Sequence, residues 1–322
     1  MNRMTEPVLE IRNAVKYFSA PNGKVLKAVN NVSCQIAPQE CLAVIGESGC
    51  GKSTLAKLVM RIEPMNSGEV FLEGRQVTGR KKTEQRQIWR EMQMIFQNAS
   101  DVISPRMKIG TFLMEPWKNF RIADKAEAKE KIRDMLKEVY LDESCLQKYP
   151  HQLSGGELQR VCIARAFSMK PKIMVCDEIT SALDVSVQDG VMKLFRRIQK
   201  ETGTACLFIC HDLALVHDYS DRVMVMYLGH VVEMMKSSDL GIHAVHPYTR
   251  ALLRSMFFIG EKGQKKKIVS LPGESISPFD LPEGCCFCTR CPRAAEICRK
   301  AVPVLKETEK GHWIACHRIC AD

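Results

Sequence analysis

The chain has 322 residues, of which 45% are hydrophobic and 26% charged. That is enough apolar material for one large or two modest domains, and it excludes a globally disordered polymer. The formal net charge of +10 suits an anionic membrane face, nucleic acid or a polyphosphate ligand, but it is spread along the chain, as in Arg80-Lys81-Lys82 and Lys265-Lys266-Lys267. No single basic arm exists, so most of this charge reads as a solvated surface.

Met1 to Ile11 alternates polar and apolar residues and lacks the apolar centre of a secretory signal. No run reaches the roughly 18 apolar residues that cross a bilayer. The expectation is a soluble chain on the cytoplasmic side, where fifteen cysteines are many. Residues 8 to 45 read as strand-rich, broken at Pro21-Asn22-Gly23 and Pro38. Cys41 to Ile45 is a short apolar run of the kind buried in a parallel sheet, and Ser53 to Ile62 has helical spacing. From about Asp101 to Tyr149 the texture is helical, with Lys125 to Tyr140 charged, amphipathic and free of Gly and Pro. Apolar runs return at Ile173–Cys176 and Leu207–Cys210, each followed by a helical pattern. Strands alternating with helices predict an α/β fold with a parallel sheet and a helical insertion. After about Ser255 comes a Lys-, Gly- and Pro-rich linker, then a cysteine-dense tail.

Gly46-Glu47-Ser48-Gly49-Cys50-Gly51-Lys52-Ser53-Thr54 satisfies G-x-x-x-x-G-K-[ST] between a strand and a helix. Gly49 and Gly51 let the backbone turn its N–H groups toward phosphate oxygens, and the following helix adds its positive dipole end. Lys52 is expected at the β- and γ-phosphates and the Ser53 hydroxyl on Mg²⁺. The strand Ile173–Cys176 ends in Asp177-Glu178, at the carboxyl edge where α/β sheets bind ligands. Asp177 suits Mg²⁺ through water, and Glu178 suits the base that prepares the attacking water.

Leu153-Ser154-Gly155-Gly156-Glu157-Leu158-Gln159-Arg160 reads from composition alone as a capping box opening a helix. It also resembles the signature motif of the ABC ATPases. The resemblance spans about residues 8 to 255 and implies a P-loop NTPase (RecA-like) core with an N-terminal antiparallel β subdomain. It further implies a helical subdomain at about 98–165, with residues 256–322 forming a linker and cysteine-rich extension. In that family Ser154 to Glu157 cover the ATP held by a partner subunit. Gln97, ending Met94-Ile95-Phe96-Gln97, resembles the Q-loop residue that senses Mg²⁺ and the membrane partner. Ser181-Ala182-Leu183-Asp184 resembles the D-loop, and His211 the switch histidine at the γ-phosphate. Phe18 matches the aromatic that stacks on adenine, ahead of its neighbour Tyr17. Two departures bear on the subunit contact: Ile179 stands where a proline usually follows the acid pair, and no proline lies near Ala99.

His246-Pro247-Tyr248-Thr249-Arg250-Ala251-Leu252-Leu253 resembles the stretch beyond the ATPase core in oligopeptide, dipeptide and nickel importers, as does Leu271-Pro272-Gly273-Glu274 with the later Gly284–Pro292 and Gly311–His317 segments. The resemblance implies an ATPase with ATP and Mg²⁺ as ligands, powering peptide import, with nickel or a metal chelate as the alternative cargo. Implied partners are a second ABC ATPase subunit, paralogous rather than identical, two membrane-spanning permease subunits and an extracytoplasmic solute-binding protein. The implied place is the cytoplasmic face of the cell membrane, and no nucleic acid is implied. DNA-repair relatives carry long coiled-coil insertions and translation-associated ones carry two ATPase units, neither of which this chain has. The tail holds Cys285, Cys286, Cys288, Cys291, Cys298, Cys316 and Cys320. The family pattern falls on Cys285, Cys291, Cys298 and Cys316, a thiolate set suited to a [4Fe–4S] cluster, with zinc as the alternative.

Overall fold

A computed structural model describes residues 6–21, 23–79, 82–256 and 276–319. Arg80, Lys81, Lys265–Lys267, Leu271–Glu274 and Cys320, singled out above, lie outside the described residues. In chain order the strands are β1 (Leu9–Ser19), β2 (Val25–Ile36), β3 (Cys41–Ile45), β4 (Ser67–Leu72), β5 (Arg75–Gln76), β6 (Met92–Ile95), β7 (Ile173–Asp177), β8 (Ala205–Ile209), β9 (Arg222–Tyr227), β10 (His230–Lys236), β11 (Lys306–Glu309) and β12 (His312–Ile314). The helices are α1 (Lys52–Val59), α2 (Lys82–Glu91), α3 (Ala99–Val102), α4 (Ile109–Phe120), α5 (Lys125–Glu138), α6 (Gly155–Phe167), α7 (Val185–Thr202), α8 (Leu213–Tyr219), α9 (Leu240–His243), α10 (Pro247–Met256) and α11 (Glu296–Lys300). Among the described residues no helix is long and apolar enough to cross a membrane.

The chain divides into two compact units. One comprises Leu9–Gln35, Glu40–Thr78 and Ile209–Asp322. Its first sheet has the order β2-β1-β4-β5, with β1 antiparallel to β4 (Leu9 opposite Leu72). In its second sheet the strands run β11-β12-β10-β9-β3. Here β3 is parallel to β9, from Leu42 opposite Arg222 to Ile45 opposite Val225, and β9 and β10 form a hairpin. Every residue of β3 is buried, as its unbroken apolar sequence requires of a strand covered on both faces.

The cysteine-rich tail is built into this unit. Strand β12 pairs with β10, Glu233 opposite Ile314 and Met234 opposite Trp313, and Ala315 N–H donates to Val232 O at 2.9 Å. Glu233 is fully buried. It accepts Val245 N–H at 2.8 Å and faces His312 Nε2 at 2.9 Å. Burial opposes its ionisation, but the bonds from His312 and the main chain outweigh that and hold its carboxyl below the usual range.

The other unit comprises Gly79–Phe208 with two short N-terminal pieces. Its strands run β8-β7-β6, and β6 is parallel to β7 (Met92 opposite Ile173, Ile95 opposite Cys176). Helix α5 starts where Asp124 accepts the N–H groups of Ala126 and Glu127, and it buries Ala128, Ile132 and Leu136 at helical spacing. Arg165 of α6 bonds Glu115 of α4 at 2.7 Å and lies over the Phe112 ring. Helix α7 ends on Gly203, whose φ of 70° provides the left-handed cap.

Removing the buried acceptor leaves His312 and two main-chain donors unpaired, so Glu233→Ala is expected to lower stability by about 3 kcal/mol in urea unfolding near neutral pH. Two histidines, His246 buried and His230 half-buried, set the acid limit. Burial lowers both His230 and His246 to about 4. His246 Nδ1 accepts Tyr248 N–H at 3.1 Å, which a proton on that nitrogen would abolish. Below about pH 6.5 the unfolded chain binds protons that the native histidines refuse until about pH 4. The urea midpoint is therefore expected to be flat above that window and to fall steadily across it.

Candidate functional site

The phosphate loop, Gly46 to Thr54, leaves β3 and opens α1 with Gly51 as N-cap. Two of its glycines are obligatory. Gly46 has φ 150° and Gly51 φ 107°; an added Cβ would lie 2.1 Å from Met226 O in the first case and 2.0 Å from Ala28 O in the second. The main chain passes these neighbours with no room for a side chain. Gly49 (φ 78°) faces open space. Lys52 is buried, and its Nζ donates to Gly46 O at 2.8 Å and Glu47 O at 3.0 Å, with Cys50 Sγ at 3.7 Å. All three acceptors are neutral, because burial raises the Cys50 thiol. A buried ammonium with neutral partners favours an anion beside it.

The two aromatic candidates separate clearly. Tyr17 Oη is occupied by a 2.7 Å bond to Asn30, whereas Phe18 is 36% exposed, with the Lys16 ammonium 4.8 Å above its ring. Lys16 is itself anchored to Glu63 at 2.7 Å. His211 stands exposed in the turn before α8; on either side of it, Cys210 N–H donates to Val44 O and Asp212 caps the helix through Ala214 N–H.

In the other unit, Asp177 is the buried last residue of β7 and Glu178 follows at φ 50°. Gln97 Nε2 donates to Glu178 Oε2 at 2.9 Å, so the structure brings these two residues together across 81 positions of sequence. Glu178 O accepts both the N–H and the Oγ of Ser181. The capping box is complete at α6. Ser154 N–H and Oγ both donate to Glu157 Oε2 at 2.8 Å, Glu157 N–H donates back to Ser154 Oγ, and these bonds hold the Glu157 carboxyl below its usual range. Ser154 and Gly155 are exposed at the helix tip.

In the tail, Cys285, Cys291, Cys298 and Cys316 lie within electrostatic reach of one another. The Cys285 thiol is held low, chiefly by a hydrogen bond from Cys286 and also by the N–H groups of Phe287 and Cys288. Burial raises Cys291 and Cys316, each of which accepts one main-chain N–H, from Arg293 and Arg318 respectively. Among the described residues no three His, Cys, Asp or Glu side chains are grouped closely enough for one metal ion.

Comparison with known proteins agrees with this geometry. Residues 29–181 match the ABC transporter family, and residues 232–298 match the oligopeptide/dipeptide transporter C-terminal region. The di/tripeptide transport ATP-binding protein DppF of Pseudomonas aeruginosa is 42% identical over 97% of this chain and 98% of its own length. The oligopeptide transport ATP-binding protein OppF of Escherichia coli is 39% identical over 99% of both. The chain belongs to the ATP-binding proteins of ABC transporters. The dimeric ATP-binding cassette MJ0796, solved in a post-hydrolysis state with ADP and Pi, superposes with a TM-score of 0.65 at 26% identity, covering 71% of this chain and 98% of that one. The protein is thus an ABC ATPase with the P-loop NTPase fold.

Several contacts on the phosphate loop of this ATPase escape a reading of the sequence. Tyr248 Oη accepts Glu47 N–H at 2.8 Å, and Arg290 from the tail reaches the Glu47 carboxylate at 3.2 Å. Both residues stand inside segments whose resemblance to importers was legible, but their partners lie about two hundred or more positions away (201 and 243), beyond any local pattern.

The crowding at Gly46 gives a direct test. Gly46→Ala must displace the loop from β9, and a shift of that size is expected to lower kcat/KM for ATP by about a hundredfold. Circular dichroism should show the fold retained.

Proposed function

We propose that this ABC ATPase powers the import of oligopeptides or dipeptides. The observation that carries the reading is the match over residues 232–298, which lies beyond the part shared by ABC ATPases in general. The named relatives are peptide-transport proteins along their full length.

The proposed site is composite. Phe18 stacks on adenine, the loop Gly46 to Thr54 cradles the phosphates with main-chain N–H groups other than that of Glu47, and Lys52 meets the β- and γ-oxygens. Ser53, Asp177 and Gln97 serve Mg²⁺, and His211 meets the γ-phosphate. Glu178 acts as base on the attacking water, its carboxylate oriented by the Gln97 amide at 2.9 Å. Ser154, Gly155, Gly156 and Glu157 serve the nucleotide of a second ATPase subunit, for which the exposed N-terminus of α6 gives the right polarity. The dimeric state of the solved cassette supports such pairing. We infer a paralogous partner, two permease subunits reached through the surface around Gln97, and a solute-binding protein outside the membrane; the ATPase then sits on the cytoplasmic face. ATP closes the pair, and hydrolysis reopens it by removing the γ-phosphate that joined the halves.

For the tail we propose a [4Fe–4S] cluster on Cys285, Cys291, Cys298 and Cys316. The thiolate chemistry of the four residues and the main-chain N–H groups donated to three of them support it. When bound, such a group would cross-link Cys285 and Cys291 to Cys298 of α11 and to Cys316 after β12.

Glu178→Gln is expected to bind ATP normally and to lose turnover by about 10²- to 10⁴-fold. Saturated with ATP, that variant should form a dimer with its companion subunit in size-exclusion chromatography; persistent monomers would refute the composite site. In the assembled transporter, di- and oligopeptides should stimulate ATPase, and stimulation by nickel alone would overturn the peptide assignment. Anaerobically purified protein should be brown with about four irons per chain, and Cys291→Ser should bleach it. Colourless protein free of iron would end the cluster reading.

A further inference from the structure

A carboxylate inside a loop that binds polyphosphate is an electrostatic liability. Glu47 is the second residue of the phosphate loop, and its own carbonyl accepts the Lys52 ammonium at 3.0 Å. A unit charge several ångströms from the phosphates acts through a partly buried medium, where it is poorly screened. Left alone, Glu47 would weaken anion binding.

A cation arrives from the opposite end of the chain. Arg290 Nη1 lies 3.3 Å from Glu47 Oε1 and 3.2 Å from Oε2, across 243 positions of sequence. Its side chain is 6% exposed and that of Glu47 is 31% exposed, so the pair is desolvated on the Arg290 side. The guanidinium is held in place independently of Glu47. Its Nη1 also bonds Tyr227 Oη at 3.3 Å, and it lies 6.0 Å from the ring centres of Tyr227 and Phe287. Phe287, fully buried, packs edge-on against Tyr227 and Tyr248 at 5.3 and 5.5 Å. Tyr248 Oη takes the Glu47 N–H as well. The loop residue is therefore gripped at its main chain by α10 and at its side chain by the tail, with β9 bracing Arg290.

We propose that Arg290 is a charge-compensating, positioning residue for ATP binding: it neutralises Glu47 so that the phosphate loop presents an uncancelled positive potential to MgATP. The cysteine-rich tail thereby contributes to nucleotide affinity without touching nucleotide. This inference rests on the ATPase activity of the chain and not on the identity of the transported solute or of any group held by the cysteines.

Steady-state ATPase of the full-length protein, with MgATP as the probe, tests it. Arg290→Met is expected to raise KM for MgATP by at least about fivefold, with kcat within about twofold and a steeper dependence on salt. Arg290→Lys should recover most of the loss. Glu47→Gln alone, which leaves the cation unopposed, should lower KM at low ionic strength. The double variant Arg290→Met/Glu47→Gln should return to within about twofold of wild type, since the charge that needed compensation is gone. An unchanged KM in Arg290→Met would overturn the proposal. So would a double variant as weak as Arg290→Met, which would make Arg290 a mere anchor of the tail. If Arg290→Met does not fold, Glu47→Gln decides: a fall in KM supports compensation, and no fall refutes it.

Discussion

The arrangement depends first on how closely the main chain can approach itself at the phosphate loop. Gly46 and Gly51 sit so near the carbonyls of Met226 and Ala28 that a single added carbon would overlap them. This packing does two things at once. It fixes the curvature of the loop, and it holds Lys52 back over it, where its ammonium is buried against carbonyl oxygens. A lysine on an open surface would be hydrated and mobile, and much of its attraction for phosphate would be screened. Here desolvation has already been met by folding, so the charge is available to an anionic ligand.

The same economy governs the tail. Its strand β12 continues a sheet, His312 inserts beside a fully buried glutamate, and Phe287 fills space between two tyrosines of the core. Glu233 would be costly in isolation. It is tolerated because two main-chain N–H groups at the start of α10 and an imidazole converge on it. An extension anchored by a buried ionic group has little freedom to detach, and Arg290, one residue before Cys291, is fixed with it. Cys291 and the phosphate loop are thus separated by very few bonds.

Much of this was legible in the sequence wherever the physics is local. The apolar runs at Cys41–Ile45 and Ile173–Cys176 are the fully buried strands β3 and β7, and Lys125–Tyr140 is α5 to within two residues of its end. The capping box at Ser154–Glu157 is present with both of its reciprocal bonds, because it depends on four consecutive residues. Phe18 and Tyr17 were ranked by resemblance; in the fold Tyr17 bonds Asn30 through its hydroxyl and Phe18 stands exposed. What could not be read were pairs joined by tertiary packing. Arg290 with Glu47, and His312 with Glu233, have no periodicity or spacing that announces them. The tail cysteines fall between these cases. Their types point to metal ligands, but their arrangement in space appears only once the chain is folded.

The missing proline after the acid pair shows how one constraint can replace another. A proline after Glu178 would restrict the turn through its ring. Ile179 has no ring, but it is 1% exposed and cannot leave its place without opening the core. The turn is then tied on both sides. Ser181 returns two hydrogen bonds to Glu178 O, and Gln188 Nε2 spans Thr180 O and Leu183 O at 3.1 and 2.9 Å. Glu178 itself holds a left-handed conformation, unusual for a residue with a β-carbon and costing on the order of 1 kcal/mol. Such a conformation persists only where the surroundings over-determine it, and here burial and hydrogen bonds do so. The carboxylate is thus aimed by a strained residue, a buried isoleucine and the Gln97 amide acting together, with no need of the ring that the sequence lacks.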